Sequence, residues 1–349
     1  MQMYALYTFL KNQGHDLWIL DNHCSAVEDG YAKKNPLKPF RRFVRKNILV
    51  GAIEFIKSLN SYVSGYQKKK VESFDSFLYD NFQLTKRFEY PEDMPTDFDV
   101  LITGSDQVWN YKITGGRYEP FFLDNGKDDE VLPRRIAYAP SCEKYAFAQL
   151  HNDKDYLKHV FSKFHWISVR EKALGDFLTE TINIKTDTVL DPTLLLSRKD
   201  YLKIAIKPKK EHYLCIYRVS ASKTLQKVAK QIAKERGLEI VEIYASTIAK
   251  DKTEAYGPRE ILGYLCYADV IVTSSFHGTA FSIINRKDFY SVYNKSSIRV
   301  ANILKSIGLE NRMITAECQF GAFASVTFNE KCIINHIEHS KTLLLSALQ

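Results

Sequence analysis

Nowhere in this chain of 349 residues does an apolar run approach the roughly 20 residues of a membrane-spanning helix, so no integral membrane segment is expected. The first residues, Met1-Gln2-Met3-Tyr4-Ala5-Leu6, lack a basic-then-apolar leader, and the expected compartment is the cytoplasm. Cysteine is scarce. The six, at positions 24, 142, 215, 266, 318 and 332, form no Cys-x-x-Cys clip, which points to reduced thiols and away from a disulfide scaffold. Absent too are the P-loop, Gly-x-Gly-x-x-Gly, Gly-x-Ser-x-Gly and His-Glu-x-x-His patterns. Nucleotide hydrolysis, a standard dinucleotide site and zinc hydrolysis therefore lose support, and no metal site is expected. There is no repeat at the 20- to 50-residue periods of solenoids and propellers.

What is present is globular. The chain is 45% hydrophobic and 26% charged, and its length suits two domains better than one core. A formal net charge of +8 suggests anionic partners, among them nucleic acid, a membrane surface or a phosphorylated substrate. Much of the excess lies between Lys33 and Lys70, where eleven basic residues face one acid, Glu54, with Phe40, Phe43, Ile48, Phe55 and Ile56 interleaved. Such a stretch reads either as a basic amphipathic segment on an anionic membrane or as solvated surface helices. It carries no motif that reads nucleic acid, so no nucleic-acid partner is expected.

At the amino end, Tyr4, Tyr7, Leu10 and Lys11 follow helical spacing up to Gly14, and Leu17-Trp18-Ile19-Leu20 reads as a strand. A helix then a strand is the second half of a β-α-β unit, so the expectation is a chain that begins one element late. From Phe98 the pattern is regular. Strands are expected at 100–103, 136–139, 166–169 and 188–190, with helices near 144–160 and 170–180. After a Lys- and Pro-containing linker (203–210) a second run follows. Its strands are expected at 213–217, 239–243 and 270–273, and its helices at 222–237, 261–267 and 278–285. Strand-helix alternation of this kind gives parallel sheets covered on both faces. The expected architecture is α/β, two Rossmann-like domains facing a cleft: residues 1–200, with a basic insertion about 28–90, and residues 210–349.

In open α/β sheets the loops at the carboxyl ends of strands carry the site. Four are unusually polar. The first, Gly104-Ser105-Asp106-Gln107-Val108-Trp109-Asn110, offers Asp106 as a base or, alternatively, as a helix N-cap. The second, Tyr138 to Cys142, offers the Ser141 hydroxyl. The third places Arg170 just past a buried strand, where it meets either a ligand anion or a carboxylate such as Glu171. The fourth is Thr273-Ser274-Ser275-Phe276-His277-Gly278-Thr279, between a strand and a helix. Backbone amides at a helix start favour a phosphate or carboxylate, the hydroxyls add donors, and His277 stands ready to give a proton.

Taken together, GSDQVWN (104–110), AYAPS (137–141), ISVRE (167–171), VLDPTLLL (189–196) and TSSFHGTAFSIINRK (273–287) resemble the polysaccharide pyruvyl transferase family, in its order. The resemblance implies a GT-B-like fold and transfer of pyruvate from phosphoenolpyruvate to two hydroxyls of a sugar, forming a ketal and releasing phosphate. It makes Arg170 and His277 the expected donor contacts and, with Asp106, the expected catalytic residues, and puts Ser274, Ser275, Phe276, Gly278 and Thr279 around the donor. Gly104, Ser105, Asp106, Gln107 and Ser141 then line the acceptor side, His277 is the acid and Asp106 the base. No cofactor beyond the donor is implied. The acceptor is a surface glycan or its lipid-linked precursor, which would bring the protein to the inner membrane face. Two departures stand out: the missing first strand, and Cys142-Glu143 where the family commonly has an aromatic residue and glycine. The alternatives are a GT-B glycosyltransferase using a nucleotide sugar, and an inactive truncated component of a glycan-assembly complex.

Overall fold

A computed structural model describes residues 1–28, 66–127, 133–218, 222–244, 256–292, 298–315 and 324–349. Within them are two wholly parallel sheets. One holds β1 (Val100–Thr103), β2 (Arg134–Ala137), β3 (Trp166–Val169) and β4 (Asp187–Thr188) in that order. The other holds β5 (Tyr213–Arg218), β6 (Glu239–Tyr244), β7 (Val270–Thr273), β8 (Asp288–Val292) and β9 (Met313–Ile314), ordered β6-β5-β7-β8-β9. That is the 2-1-3-4-5 order of doubly wound sheets, whose ligand crevice opens where the winding reverses, here between β5 and β7. All four residues of β7 are buried, as a strand covered on both faces requires.

The longer helices are α1 (Gln2–Asn12), α2 (Tyr66–Asn81), α3 (Phe147–Asn152), α4 (Lys154–Ser162), α5 (Lys172–Ile182), α6 (Lys223–Arg236), α7 (Pro258–Tyr267), α8 (Phe276–Asn285), α9 (Ile298–Ser306) and α10 (Glu330–Leu348). In α6 the sequence signals act as expected. Ser222 Oγ accepts from Leu225 N at 3.2 Å, and Gly237 ends the helix in the left-handed region. Leu225, Val228, Ala229, Ile232 and Ala233 form its buried stripe, each large side chain contributing roughly 1.5–3 kcal/mol. α8 differs, being apolar nearly all round and buried from Gly278 to Asn285. Such a helix belongs in the interior.

One hydrophobic cluster runs through both halves of the chain, from Tyr4 and Leu10 through Tyr201 to Phe281 and Phe289. The Tyr201 ring lies 6.4 Å from Tyr4 and 5.0 Å from Phe281. α10 returns to the first half, where Ser340 Oγ accepts from Leu190 N at 3.0 Å.

Two expectations need correction. Leu17–Leu20 is no strand: only Ile19 pairs, as an isolated parallel bridge to Leu84. A strand needs a neighbour along its length, and Ile19 N to Gln83 O and Thr85 N to Ile19 O are the ladder bonds it has. The segment expected at 188–190 is the two-residue β4, because Leu190 N turns to Ser340 instead of a neighbouring strand. Most of the basic stretch Lys33–Lys70 lies outside the described residues. Among the described residues no helix is long and apolar enough to cross a membrane.

Candidate functional site

The loops that follow β1, β2 and β3 meet the amino end of α8. Gly104 begins the first loop with φ +111°, and a Cβ there would collide with the Tyr138 carbonyl, so the loops after β1 and β2 pack backbone to backbone. Ser141 N donates to Asp106 O at 2.7 Å, and Ser105 Oγ to Ala139 O at 2.6 Å. Asp106 itself has φ 69°, and it is not a helix cap. Asn110 caps the following turn, its side chain accepting from Lys112 N at 3.1 Å, and Gln107 is drawn inward as the acceptor of Asn110 Nδ2 at 2.7 Å.

Arg170 is the hub, its side chain only 3% exposed. Its Nη1 lies 2.5 Å from Asp191 Oδ2, its Nε 3.0 Å from Glu171 Oε1 and its Nη2 3.3 Å from Asp106 Oδ1. The Phe276 ring covers the guanidinium, with Cζ 4.9 Å from the ring centre. Burial works against the charge of Arg170, but Asp191, Glu171 and Asp106 outweigh it and hold the guanidinium above its ordinary value.

Asp191 is fully buried and saturated. Oδ2 takes Arg170 and Gln2 Nε2 (2.7 Å), while Oδ1 takes Thr193 N (3.0 Å) and Thr193 Oγ1 (2.7 Å). Burial pushes against its ionisation, yet His277, Arg170 and the Thr193 amide hold it well below the usual carboxylate range. Pro192 after it starts a tight turn, so this Asp-Pro pair ends one element and caps the next.

Ser141, expected in the crevice, is fully buried, and its hydroxyl donates to Glu171 Oε1 at 2.9 Å. It orients the carboxylate that orients Arg170. Thr279 is likewise spent inside: its hydroxyl is bonded to Ser275 O (3.2 Å) and shared with Ser291 Oγ (2.7 Å). Gly278 serves close packing, since a Cβ there would strike Thr273 Oγ1 and approach the Tyr217 ring. Ser275 is the N-cap of α8 without a side-chain capping bond, and its own N–H goes to Thr273 Oγ1 at 3.0 Å.

What remains in the fourth loop is unspent. The amides of Phe276, His277 and Gly278, the first of α8, find no acceptor among the described residues. The Ser274 hydroxyl is buried with no partner there, and so is His277 Nε2, which stands 3.7 Å from Asp191 Oδ2, beyond a hydrogen bond. Unpaired amides at a helix start, with a hydroxyl and an imidazole beside them, favour an anion.

Three partners carried no signal read as functional. Asp191 lies in VLDPTLLL, where nothing local marks it as the partner of Arg170. Gln2 reaches both Ser105 Oγ (3.3 Å) and Asp191. Arg299, near the start of α9, sits 3.2 Å from Glu143 Oε1 and 3.8 Å from Asp106 Oδ1. Glu143, the departure noted beside Cys142, thus meets a cation from the other half of the chain. Cys142 is a poor nucleophile, its thiol pushed up to about 12 by burial and by Glu171 and Glu143. Among the described residues no group of three metal-ligating side chains is gathered.

Against known families, the polysaccharide pyruvyl transferase model matches residues 1–296, most of the chain. The chain belongs to that family. Its members' loops named above therefore lie in a transferase that acts on polysaccharide, with a glycan acceptor and a donor substrate. No curated protein matches the chain. Among solved structures, two of the wall teichoic acid polymerase TagF are distantly similar. One, titled as carrying CDPG, has a TM-score of 0.35 at 9% identity over 88% of this chain and 91% of that one. The other has a TM-score of 0.33 at 10% identity over 90% and 91%.

Proposed function

We propose that this protein moves the pyruvyl group of phosphoenolpyruvate onto two hydroxyls of one sugar in a surface glycan or its lipid-linked precursor. The observation that carries this reading is the unspent start of α8. Three amides and Ser274 Oγ suit one phosphate or carboxylate, with His277 Nε2 free beside them for the proton and an arginine already clamped in place.

The chemistry follows from the donor. A proton goes to the methylene carbon while the first sugar hydroxyl bonds to the adjacent carbon. The second hydroxyl then bonds to that carbon as the bond to the phosphate oxygen breaks. One hydroxyl proton ends in the new methyl group and the other leaves with inorganic phosphate. His277 supplies the first proton, and Asp106, half exposed at the edge of the cluster, takes one from a hydroxyl. Arg170 is a positioning residue here. Held by three carboxylates and the Phe276 ring, it fixes the floor on which donor and base sit. The wider reading keeps two Rossmann-like domains, about 1–200 and 210–349, facing the cleft. It also keeps a peripheral place at the inner membrane face through Lys33–Lys70.

The test is product analysis with full-length protein. Inorganic phosphate released from phosphoenolpyruvate only when a diol-bearing glycan is present, with the pyruvyl mass added to that glycan, supports the proposal. Nucleoside diphosphate released from nucleotide sugars, with no phosphate from phosphoenolpyruvate, overturns it in favour of glycosyl transfer.

A further inference from the structure

The donor proposed above carries two anions, and the unspent start of α8 accommodates one of them. Phosphoenolpyruvate bears its phosphate and its carboxylate on the same carbon, and that carbon receives the sugar oxygen. Asp106, as the base, has to reach that oxygen. The donor carboxylate then comes to rest beside Asp106, and two like charges so close need a cation between them. Arg170 cannot serve without giving up a partner, since Glu171, Asp191 and Asp106 already take its three nitrogens.

Arg299 is held more loosely. It lies in the first turn of α9, which packs against α8, and its side chain is 19% exposed. Its Nη2 donates to Glu143 Oε1 at 3.2 Å, the one hydrogen bond of this guanidinium among the described residues. Nη1 stands 3.8 Å from Asp106 Oδ1, an ion pair too long for a hydrogen bond. Nε is buried with no partner there. Of the five N–H donors of a guanidinium, most are therefore unspent. Asp106 Oδ1 is shared with Arg170 Nη2 at 3.3 Å, so the two arginine nitrogens are at most about 7 Å apart. Phe276, the first residue of α8, covers Arg170 in turn. A chain of contacts thus leads from the helix start through Arg170 and Asp106 to Arg299. We infer that Arg299 binds the carboxylate of the donor, while the amides of α8 and Ser274 hold its phosphate. The inference rests on the pyruvyl-transfer reading. A planar carboxylate matches the guanidinium fork, and Glu143, already on that guanidinium, is its competitor.

The test compares phosphoenolpyruvate with vinyl phosphate, the same molecule without its carboxylate, by calorimetry on the full chain. Wild type should bind phosphoenolpyruvate more tightly by roughly 10- to 150-fold, the range of a charged hydrogen bond. In Arg299→Gln that preference should vanish while vinyl phosphate binds as before, which also shows a folded variant with its helix start intact. Arg299→Lys keeps the charge without the fork and should restore part of the preference. Glu143→Gln weakens the competitor and should tighten phosphoenolpyruvate, the opposite sign to Arg299→Gln. A purely structural ion pair predicts the same sign for both. Should Arg299→Gln lose its fold, the sign of the Glu143→Gln effect decides alone. A wild-type preference kept in Arg299→Gln, or phosphoenolpyruvate bound more weakly by Glu143→Gln, overturns the assignment. Wild type that binds both ligands equally also removes Arg299 from donor binding but leaves pyruvyl transfer standing. Wild type that binds neither overturns both.

Discussion

Two polar regions meet at the candidate site, and they are built on opposite plans. The loops after β3 and β4 leave less unspent: every guanidinium nitrogen of Arg170 reaches a carboxylate and both oxygens of Asp191 accept, although Glu171 Oε2 is buried without a partner among the described residues. The loop after β7 leaves its amides, Ser274 Oγ and His277 Nε2 unspent. A saturated cluster cannot take a ligand without losing what it has, whereas an unsatisfied one gains by taking it. On the proposed reading Arg170 serves stability and geometry, and the helix start serves donor binding and chemistry. The sequence left Arg170 open between a ligand anion and a carboxylate, and the structure shows it among three carboxylates.

The largest effect should come from breaking the saturated side. Arg170→Ala leaves Asp191 and Glu171 as buried carboxylates without their cation, which costs about 3–5 kcal/mol. Chemical denaturation should show that loss, and Arg170→Lys should recover only part of it because one ammonium cannot reach three carboxylates in the fork geometry. A normal denaturation midpoint with donor binding abolished would move Arg170 to the binding side of the comparison. The pH dependence tests the same cluster. The folded-state pKa of Asp191 is depressed, so the stability it contributes is present above the unfolded value of about 3.8 and is lost as pH falls below it. The wild-type advantage over Asp191→Asn should therefore be constant near neutrality and shrink as pH drops below about 4.

The next effect belongs to the unspent side. His277→Gln removes the proposed acid while keeping a hydrogen-bonding group. Turnover should fall by roughly 10²–10⁴, with donor affinity within about tenfold, a change of no more than ~1.4 kcal/mol. Because His277 Nε2 stands 3.7 Å from Asp191 Oδ2 and helps hold that carboxylate ionised, the melting temperature should fall modestly, well short of the Arg170→Ala loss. Unchanged turnover removes His277 from the chemistry, and collapsed donor affinity makes it an anion ligand.

Local pattern explains which parts were legible. Strands such as Val270–Thr273 and the helix from Ser222 to Gly237 are written in contiguous residues, so runs of β-branched side chains, a cap and a glycine suffice. The loops at strand ends were legible for the same reason. Partnerships were not. Arg170 meets Asp191 across 21 positions and Asp106 across 64, and Arg299 meets Glu143 across 156. Nothing within a window of residues distinguishes an arginine that waits for a ligand from one already held. Ser141 and Thr279 show the same limit, since each hydroxyl sits in a loop that looks ligand-facing but turns inward to Glu171 or Ser291. Leu17–Leu20 has the composition of a strand, but strand pairing depends on a neighbour, and only Ile19 has one.

The finest test of the comparison is a single hydroxyl. Ser274 Oγ is buried and has no partner among the described residues, an arrangement that costs the protein alone and serves it only when a ligand arrives. Ser274→Ala removes the unpaired group without opening a sizeable cavity, so the free protein should keep its melting temperature or gain slightly. In the donor complex the same change removes one neutral-to-charged hydrogen bond, worth about 1.5–3 kcal/mol, or roughly 10- to 150-fold in dissociation constant. Calorimetry with phosphoenolpyruvate reads the second quantity and a thermal melt of the free protein reads the first. Opposite signs in the two measurements are what an unspent binding group predicts. Destabilisation of the free protein with donor affinity unchanged would place Ser274 with Ser141 and Thr279, as one more hydroxyl that holds the loop together.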